Sequence, residues 1–137
     1  MDGREVKFQK QTILDDTNGN CLAACISSLL DANIDDVPNP QKDWWHEVNK
    51  WLLENHACEM MNITFNENHM PSIPMIAVGD SPNYPGKKHA VLWKNKKMIF
   101  DPSPNDKGLN GKPEYYIVLL WDYTNPPSRP SSPSATP

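Results

Sequence analysis

The sequence predicts an α+β domain in which two N-terminal helices pack on an antiparallel β-sheet. Two apolar stretches with helical spacing come first in the chain, and a series of short strand-like runs follows them. The segments between these runs are rich in Pro, Gly and Asn, which is typical of loops. Helices followed by consecutive strands indicate an α+β fold rather than alternating βαβ units.

The first helix is predicted over residues 21–31, where the apolar side chains form one broad face. Asn20 precedes it and is a plausible N-cap, because its side-chain oxygen can accept a first-turn N–H. A second helix is predicted over residues 41–55. Its buried stripe consists of apolar residues at helical spacing, namely Trp44, Val48, Trp51 and Leu52.

Five short strands are predicted after the helices. They cover residues 59–65, 73–78, 88–94, 97–101 and 115–121. The last of them is the most apolar, so we expect it to be central in the sheet. Residues 4–9 also have the composition of a short strand.

The 137 residues predict one folded domain over residues 4–124. Residues 125–137 contain Pro and Ser but little apolar surface to bury, so a disordered tail is expected. The net charge of −4 argues against a nucleic-acid partner, and no apolar run is long enough to span a membrane. Three cysteines without an export signal favour a reduced, cytoplasmic protein, whose oligomeric state the sequence leaves open.

The stretch "NGNCLAACISSLLD" places Cys21 where the first helix begins. A helix N-terminus favours a thiolate, which is the nucleophilic form of cysteine. The alternative is that Cys21 is a small core residue, which is the expectation for Cys25 and Cys58. The cysteine spacing lacks the short ligand loop of zinc modules, so neither a metal nor another cofactor is expected.

A catalytic cysteine needs a histidine, and that histidine needs an orienting acceptor. His89 opens the apolar strand "HAVLW" after a Pro/Gly loop, and Asp101 ends the next strand. The other histidines lie on the second helix, near its end or in a polar loop: His46, His56 and His69. The spacing of twelve residues puts His89 and Asp101 on one face if the hairpin loop is odd, so we predict a three-residue loop over 94–96. A two-residue turn without a bulge would separate them.

Acyl transfer also needs hydrogen-bond donors for the oxyanion. The backbone N–H of Cys21 is one, and Gln11 is the candidate for a second, with Asn18 and Asn20 as alternates. Tyr84 lies in the loop before His89 and is a candidate substrate contact, although that loop is equally compatible with a plain connection.

The order Gln11, Cys21, His89 and Asp101 resembles the pattern of the papain-like cysteine peptidase superfamily. Within it, "GNCLAACISSLLDANIDDVP", "HAVLW" and "DPSP" look most like the double-glycine, bacteriocin-processing peptidase group and related short bacterial and phage proteins. The similarity covers about residues 9–110 and implies Cys21 as nucleophile, His89 as general base and acid, and Asp101 as orienting acid. Gln11 lies further from the cysteine than the matching glutamine of papain-like enzymes usually does.

The resemblance implies a cysteine hydrolase of the peptidase, isopeptidase or amidase type that acts on a peptide or protein through a thioester. A transferase with the same chemistry and a different acceptor is a further reading. The alternative from another class is a catalytically idle papain-like module that sequesters a protein or small ligand, for instance in a phage–host interaction.

Overall fold

A computed structural model describes residues 8–13, 19–40, 42–64 and 71–121. These ranges contain two α-helices and a five-stranded antiparallel sheet, which confirms the predicted α+β class. The expected tail over 125–137 and most of the expected strand over 4–9 lie outside the described residues, as do Asn18 and His69.

The two helices lie close to their predicted positions. Helix α1 spans Cys21–Leu30, and Asp31 ends it in a left-handed conformation with a φ of 58°. Helix α2 spans Trp44–His56. It starts later than the predicted position 41 because Asp43 has a φ of 55°, which a right-handed helix does not accommodate. Neither helix has the length and apolarity to cross a bilayer, and the described part of the chain contains no other α-helix.

The five strands follow the helices in the chain. They are β1 (Cys58–Ile63), β2 (Met75–Asp80), β3 (Lys88–Lys94), β4 (Lys97–Phe100) and β5 (Tyr115–Trp121). Their order in the sheet is β1-β5-β2-β3-β4, and every neighbouring pair is antiparallel. The expectation that the most apolar strand is central was wrong in detail, since β5 lies inside the sheet but β2 occupies its middle.

The hydrophobic core lies between the helices and one face of the sheet. Helix α1 packs on β3 and β2, and α2 packs on β1. The buried side chains that join α1 to the sheet include Ile26 from the helix, with Ile76, Ala90 and Leu92 from the strands. This packing fixes α1 against β3, the strand that carries His89.

Candidate active site

Cys21 is the first residue of α1 and is partly exposed, whereas most of the helix after it is buried. Its thiol is reduced. The N–H groups in the first turn of a helix have no acceptor within the helix and carry its partial positive charge. Cys21 therefore has the position that the sequence predicted and an electrostatic setting that suits an anion.

Asn20 does not cap α1 with its side chain, so that prediction was wrong. Its side-chain oxygen accepts hydrogen bonds from the backbone N–H groups of Thr12 and Ile13, at 3.0 Å each. Its amide nitrogen donates to Thr12 Oγ1 at 2.8 Å. Two donors of a neighbouring segment lie within reach of this buried side chain, and they compete successfully with the helix N-terminus.

His89 and Asp101 form a buried pair. The Nε2 atom of His89 lies 2.7 Å from Asp101 Oδ1. The histidine is 7% exposed and the aspartate 2%, so water competes little for this hydrogen bond. His89 is the second residue of β3, and Asp101 directly follows β4.

The turn between these two strands differs from the prediction. It contains two residues, Asn95 and Lys96, instead of the three-residue loop over 94–96. Both turn residues have positive φ, 54° and 70°, as a type I′ turn requires. A regular hairpin with this turn would place the histidine and the aspartate on opposite faces.

A β-bulge restores the shared face. Trp93 pairs with Met98 next to the turn, but Leu92 pairs with Phe100, so Ile99 is an extra residue in β4. One extra residue reverses the alternation of side chains beyond it. The predicted contact of the histidine with the aspartate therefore forms, by a different route from the one expected.

Asp101 is held by two backbone amides as well. Ser103 N donates to Oδ1 at 2.9 Å, and Gly108 N donates to Oδ2 at 2.6 Å. Burial alone would raise the pKa of Asp101, but the hydrogen bonds from His89, Ser103 and Gly108 outweigh burial and lower it. The carboxylate is therefore ionised when it meets the imidazole.

The ionised carboxylate of Asp101 in turn raises the pKa of His89. Burial by itself would lower the pKa of His89, but the hydrogen bond with Asp101 opposes this and raises it. The side chain of Cys21 adds to the rise through a hydrogen bond and through its charge, and the result is a pKa of about 9. The thiol thus lies beside the ring. Because Nε2 faces Asp101, Nδ1 is the nitrogen that remains for Cys21.

The other two cysteines are structural, as predicted. Cys25 is fully buried and Cys58 is 1% exposed. Burial, followed by the nearby charges of Cys21 and Asp101, raises the pKa of Cys25 well above its ordinary value, which disfavours its thiolate. Among the described residues, no group of three potential ligands is arranged to hold a metal ion.

Gln11 lies on the segment that precedes α1. Its backbone N–H donates to Pro102 O at 3.0 Å, which places this segment beside the loop after β4. Its side-chain amide donates to Ile13 O at 2.8 Å. The amides of both candidate oxyanion donors are thus bonded to the N-terminal segment, Gln11 to Ile13 and Asn20 to Thr12.

Tyr84 lies in the loop between β2 and β3 and is 37% exposed. The hydroxyl of Ser81 organises this loop, since it accepts hydrogen bonds from the backbone N–H groups of Asn83 and Tyr84. Asn105 Nδ2 donates to Asn83 Oδ1 at 2.8 Å, which ties the loop to the one that carries Asp101. The loop that carries the candidate substrate contact Tyr84 is therefore anchored to the loop after Asp101.

The sequence interpretation missed four residues that build this site. Ser103 and Gly108 hold the carboxylate, and Lys10 binds the main chain around Asp101. A Cβ atom on Gly79 would lie 3.2 Å from Leu109 Cδ1, so a glycine there allows the loop before β5 to close over the strand pair. A signal existed for Ser103 alone, because aspartate often accepts a hydrogen bond from the N–H two residues later.

The fold and the site together define an α+β protein with a reduced cysteine at a helix N-terminus, next to a buried histidine–aspartate pair. Comparisons with protein-family models, with curated proteins and with solved structures found no match.

Proposed function

We propose that this chain is a cysteine hydrolase with a papain-like fold. Cys21 is its nucleophile, His89 transfers the proton, and Asp101 orients His89. The observation that supports this most is the buried His89–Asp101 hydrogen bond of 2.7 Å with the Cys21 thiol beside the same ring. A nucleophile, a base and a residue that orients the base are the three parts that covalent acyl transfer requires.

The resting state follows from the charges. With a pKa of about 9, the His89 ring is protonated at neutral pH. An imidazolium beside Cys21 and the N-terminus of α1 both favour the anionic, nucleophilic form of the sulfur. Asp101 accepts a hydrogen bond from Nε2–H, which directs the Nδ1 proton toward the sulfur.

The reaction then proceeds in two stages. The thiolate of Cys21 attacks the carbonyl carbon, a C–S bond forms, and the carbonyl oxygen becomes an oxyanion. Collapse of this intermediate breaks the bond to the leaving group, which takes the Nδ1 proton of His89 and leaves a thioester. In the second stage His89 removes a proton from water, the oxygen attacks the thioester, and the acid is released with the thiolate and imidazolium restored.

The oxyanion needs donors in both stages. The backbone N–H of Cys21 is one, because a first-turn N–H has no acceptor within the helix. The amide of Gln11 or of Asn20 is the proposed second donor, and either must first exchange its present hydrogen bond. One such donor typically contributes about 3 kcal/mol to transition-state stabilisation.

We infer the substrate class from the size of the domain and from the loop that carries Tyr84. A domain of this size favours an extended peptide or a protruding protein terminus, and the exposed Tyr84 on the anchored loop is the proposed contact for it. None of the steps above needs a metal ion or an organic cofactor.

One observation favours the second candidate, a papain-like module that binds a protein or small ligand without turnover. Both side-chain amides proposed for the oxyanion are already bonded to the N-terminal segment, Gln11 to Ile13 and Asn20 to Thr12. A site whose second donor never leaves that segment keeps only the Cys21 N–H for the oxyanion, and this weaker transition-state stabilisation suits binding without turnover.

Alkylation of Cys21 by iodoacetamide tests the proposal. We expect Cys21 to react well below pH 7, since an imidazolium beside the sulfur favours its nucleophilic form. The fully buried Cys25 and nearly buried Cys58 are internal controls that should remain unmodified in the folded protein, which peptide mass spectrometry shows directly.

The His89→Ala variant supplies the matched comparison. Its Cys21 should lose most of the reactivity at pH 6 and recover it only as the pH rises. An equal pH profile in both proteins would refute an activated thiolate. Turnover is then separated from mere binding with fluorogenic peptide amides and ubiquitin-like C-terminal amides, using Cys21→Ala as the inactive control.

A further inference from the structure

Residues 8–13 contact both halves of the candidate site. On one side, Gln9 N donates to Ser28 Oγ at 2.9 Å, which attaches the segment to α1. On the other side, Gln11 N donates to Pro102 O at 3.0 Å, which attaches it to the loop after β4. Lys10 lies between these two anchors, so its backbone position is fixed from both directions.

The ammonium group of Lys10 is surrounded by oxygen atoms. It donates to the backbone carbonyls of Asp101 and Ser103, at 2.9 Å each, and to Asp106 Oδ1 at 2.6 Å. It also lies 5.1 Å from the centre of the Phe100 ring, within range of a cation–π interaction. An ammonium has three donors, and Lys10 directs all three at the loop that starts at Asp101.

We propose that Lys10 is a positioning residue for the Asp101 carboxylate and that it acts through the main chain of residues 101–103. The two carbonyls that it binds flank Pro102, and fixing both carbonyls sets the orientation of the peptide planes between them. One of these planes carries the Ser103 N–H, which in turn donates to Asp101 Oδ1. The inference rests on the proposed function only in that this carboxylate belongs to the proposed triad.

The main-chain contacts separate this role from that of an ordinary surface ion pair. The Lys10 and Asp106 side chains are 43% and 65% exposed, and an ion pair with that exposure contributes little. Within the described part of the chain, the side chains that raise the pKa of His89 are Asp101 and Cys21. We therefore expect a substitution of Lys10 to change the pKa of His89 by moving the Asp101 carboxylate.

The Lys10→Met variant tests the proposal, with the titration of the His89 ring followed by NMR. We expect the pKa of His89 to fall by about one unit or more, a tenfold loss of proton affinity, because Asp101 no longer holds its place. His56 on α2 is the control ring, and its titration should not change. A folded Lys10→Met protein with an unchanged His89 titration would overturn the proposal.

Two further variants serve as controls, one for the ion pair of Lys10 and one for the loss of a lysine charge elsewhere. Asp106→Asn removes the surface ion pair and leaves both carbonyl contacts, so the His89 titration should remain as in the unaltered protein. Lys50→Met removes an exposed lysine from α2, with the same expectation. If Asp106→Asn lowers the pKa of His89 as far as Lys10→Met does, the ion pair is responsible and the proposal is wrong.

Chemical rescue distinguishes positioning from general damage. In a Cys21→Ser background, Lys10→Cys should show the lowered pKa of His89. Treatment with 2-bromoethylamine then forms an S-aminoethyl side chain with the length and charge of lysine, and the titration should return. Failure of the modified protein to recover contradicts the proposal. Because this background lacks the nucleophile, the result is independent of whether the chain hydrolyses anything.

Lys10→Gln covers the case in which Lys10→Met does not fold. Its amide ends one bond short of the lysine ammonium and carries no charge, so it cannot hold both carbonyls as Lys10 does. It should shift the titration in the same direction by a smaller amount, and an unchanged His89 titration in this variant overturns the proposal equally well.

Discussion

Asp101 meets His89 diagonally across the β3–β4 hairpin, because the register changes by one residue between Leu92 and Trp93. Continued beyond β4, the shifted register places Asp101 opposite Val91, two residues from His89 and on the same face. The bulge and the two-residue turn together give the parity that a three-residue loop alone would give. The contact at 2.7 Å therefore depends on both features of the hairpin.

The first prediction concerns the turn of this hairpin. Lys96 has a φ of 70°, a conformation that glycine adopts with less strain than lysine. Lys96→Gly creates the Asn-Gly pair preferred in type I′ turns and should raise the free energy of unfolding by about 0.5–1 kcal/mol. Urea denaturation measures the change. Lys97→Gly is the control, since glycine inside a strand should destabilise the protein.

The second prediction concerns the charge of Asp101. Asp101→Asn keeps the shape of the side chain and removes its negative charge. That charge raises the pKa of His89, whereas burial of the ring lowers it. The pKa of His89 should fall from about 9 toward its ordinary value of 6.5, as an NMR titration of the ring would show. A value that stays near 9 would mean that Cys21 alone holds the proton on the ring.

The third prediction is the pH dependence of stability. The pKa of His89 is raised from 6.5 to about 9 in the folded protein, so the folded state retains a proton that the unfolded chain releases. The resulting stabilisation, at most about 3 kcal/mol, is complete below pH 6.5 and is lost as the pH rises through 9.

Urea denaturation of the unaltered protein and of His89→Gln at pH 6.5, 8 and 9.5 measures this difference. The unaltered protein should have the larger free energy of unfolding at pH 6.5, and the difference from His89→Gln should decrease as the pH increases. A difference in unfolding free energy that stays constant over this pH range would contradict the raised pKa of His89.

The fourth prediction concerns the loop before β5. A Cβ on Gly79 would lie 3.2 Å from Leu109 Cδ1 and 3.3 Å from Lys112 O, so Gly79→Ala must displace the loop. We expect a loss of about 1–3 kcal/mol in stability and faster hydrogen exchange of the Gly108 amide, which binds Asp101. Adding Leu109→Ala should recover part of the loss. Unchanged exchange at Gly108 would show that the loop does not hold the carboxylate.

The local parts of the fold were predictable from the sequence. The periodicity of the apolar residues placed α1 at Cys21, and the short apolar runs placed β3 and β5 at their observed bounds. The pairing of His89 with Asp101 was predicted from their places in one hairpin, but with a three-residue loop that does not form. These features depend on neighbours within a few residues along the chain.

The parts that could not be predicted depend on contacts between distant segments. The bulge at Ile99 is a choice between two registers, and the local sequence does not distinguish a longer loop from a shorter one with a bulge. Asn20 has the sequence signature of a cap, yet residues 12 and 13 compete for its side chain from outside the helix. Lys10 lies 91 residues from Asp101 in the chain, and no local pattern connects them.

The amide contacts of Asp101 have a consequence for how the site responds to a moving proton. The backbone N–H groups of Ser103 and Gly108 donate one hydrogen bond to each oxygen of the carboxylate. In the proposed reaction such an anion would undergo little reorganisation as the ring changes between imidazolium and neutral imidazole, since the amide dipoles around it were oriented when the chain folded. If the proposed reaction takes place, folding supplies this part of the stabilisation before any ligand binds.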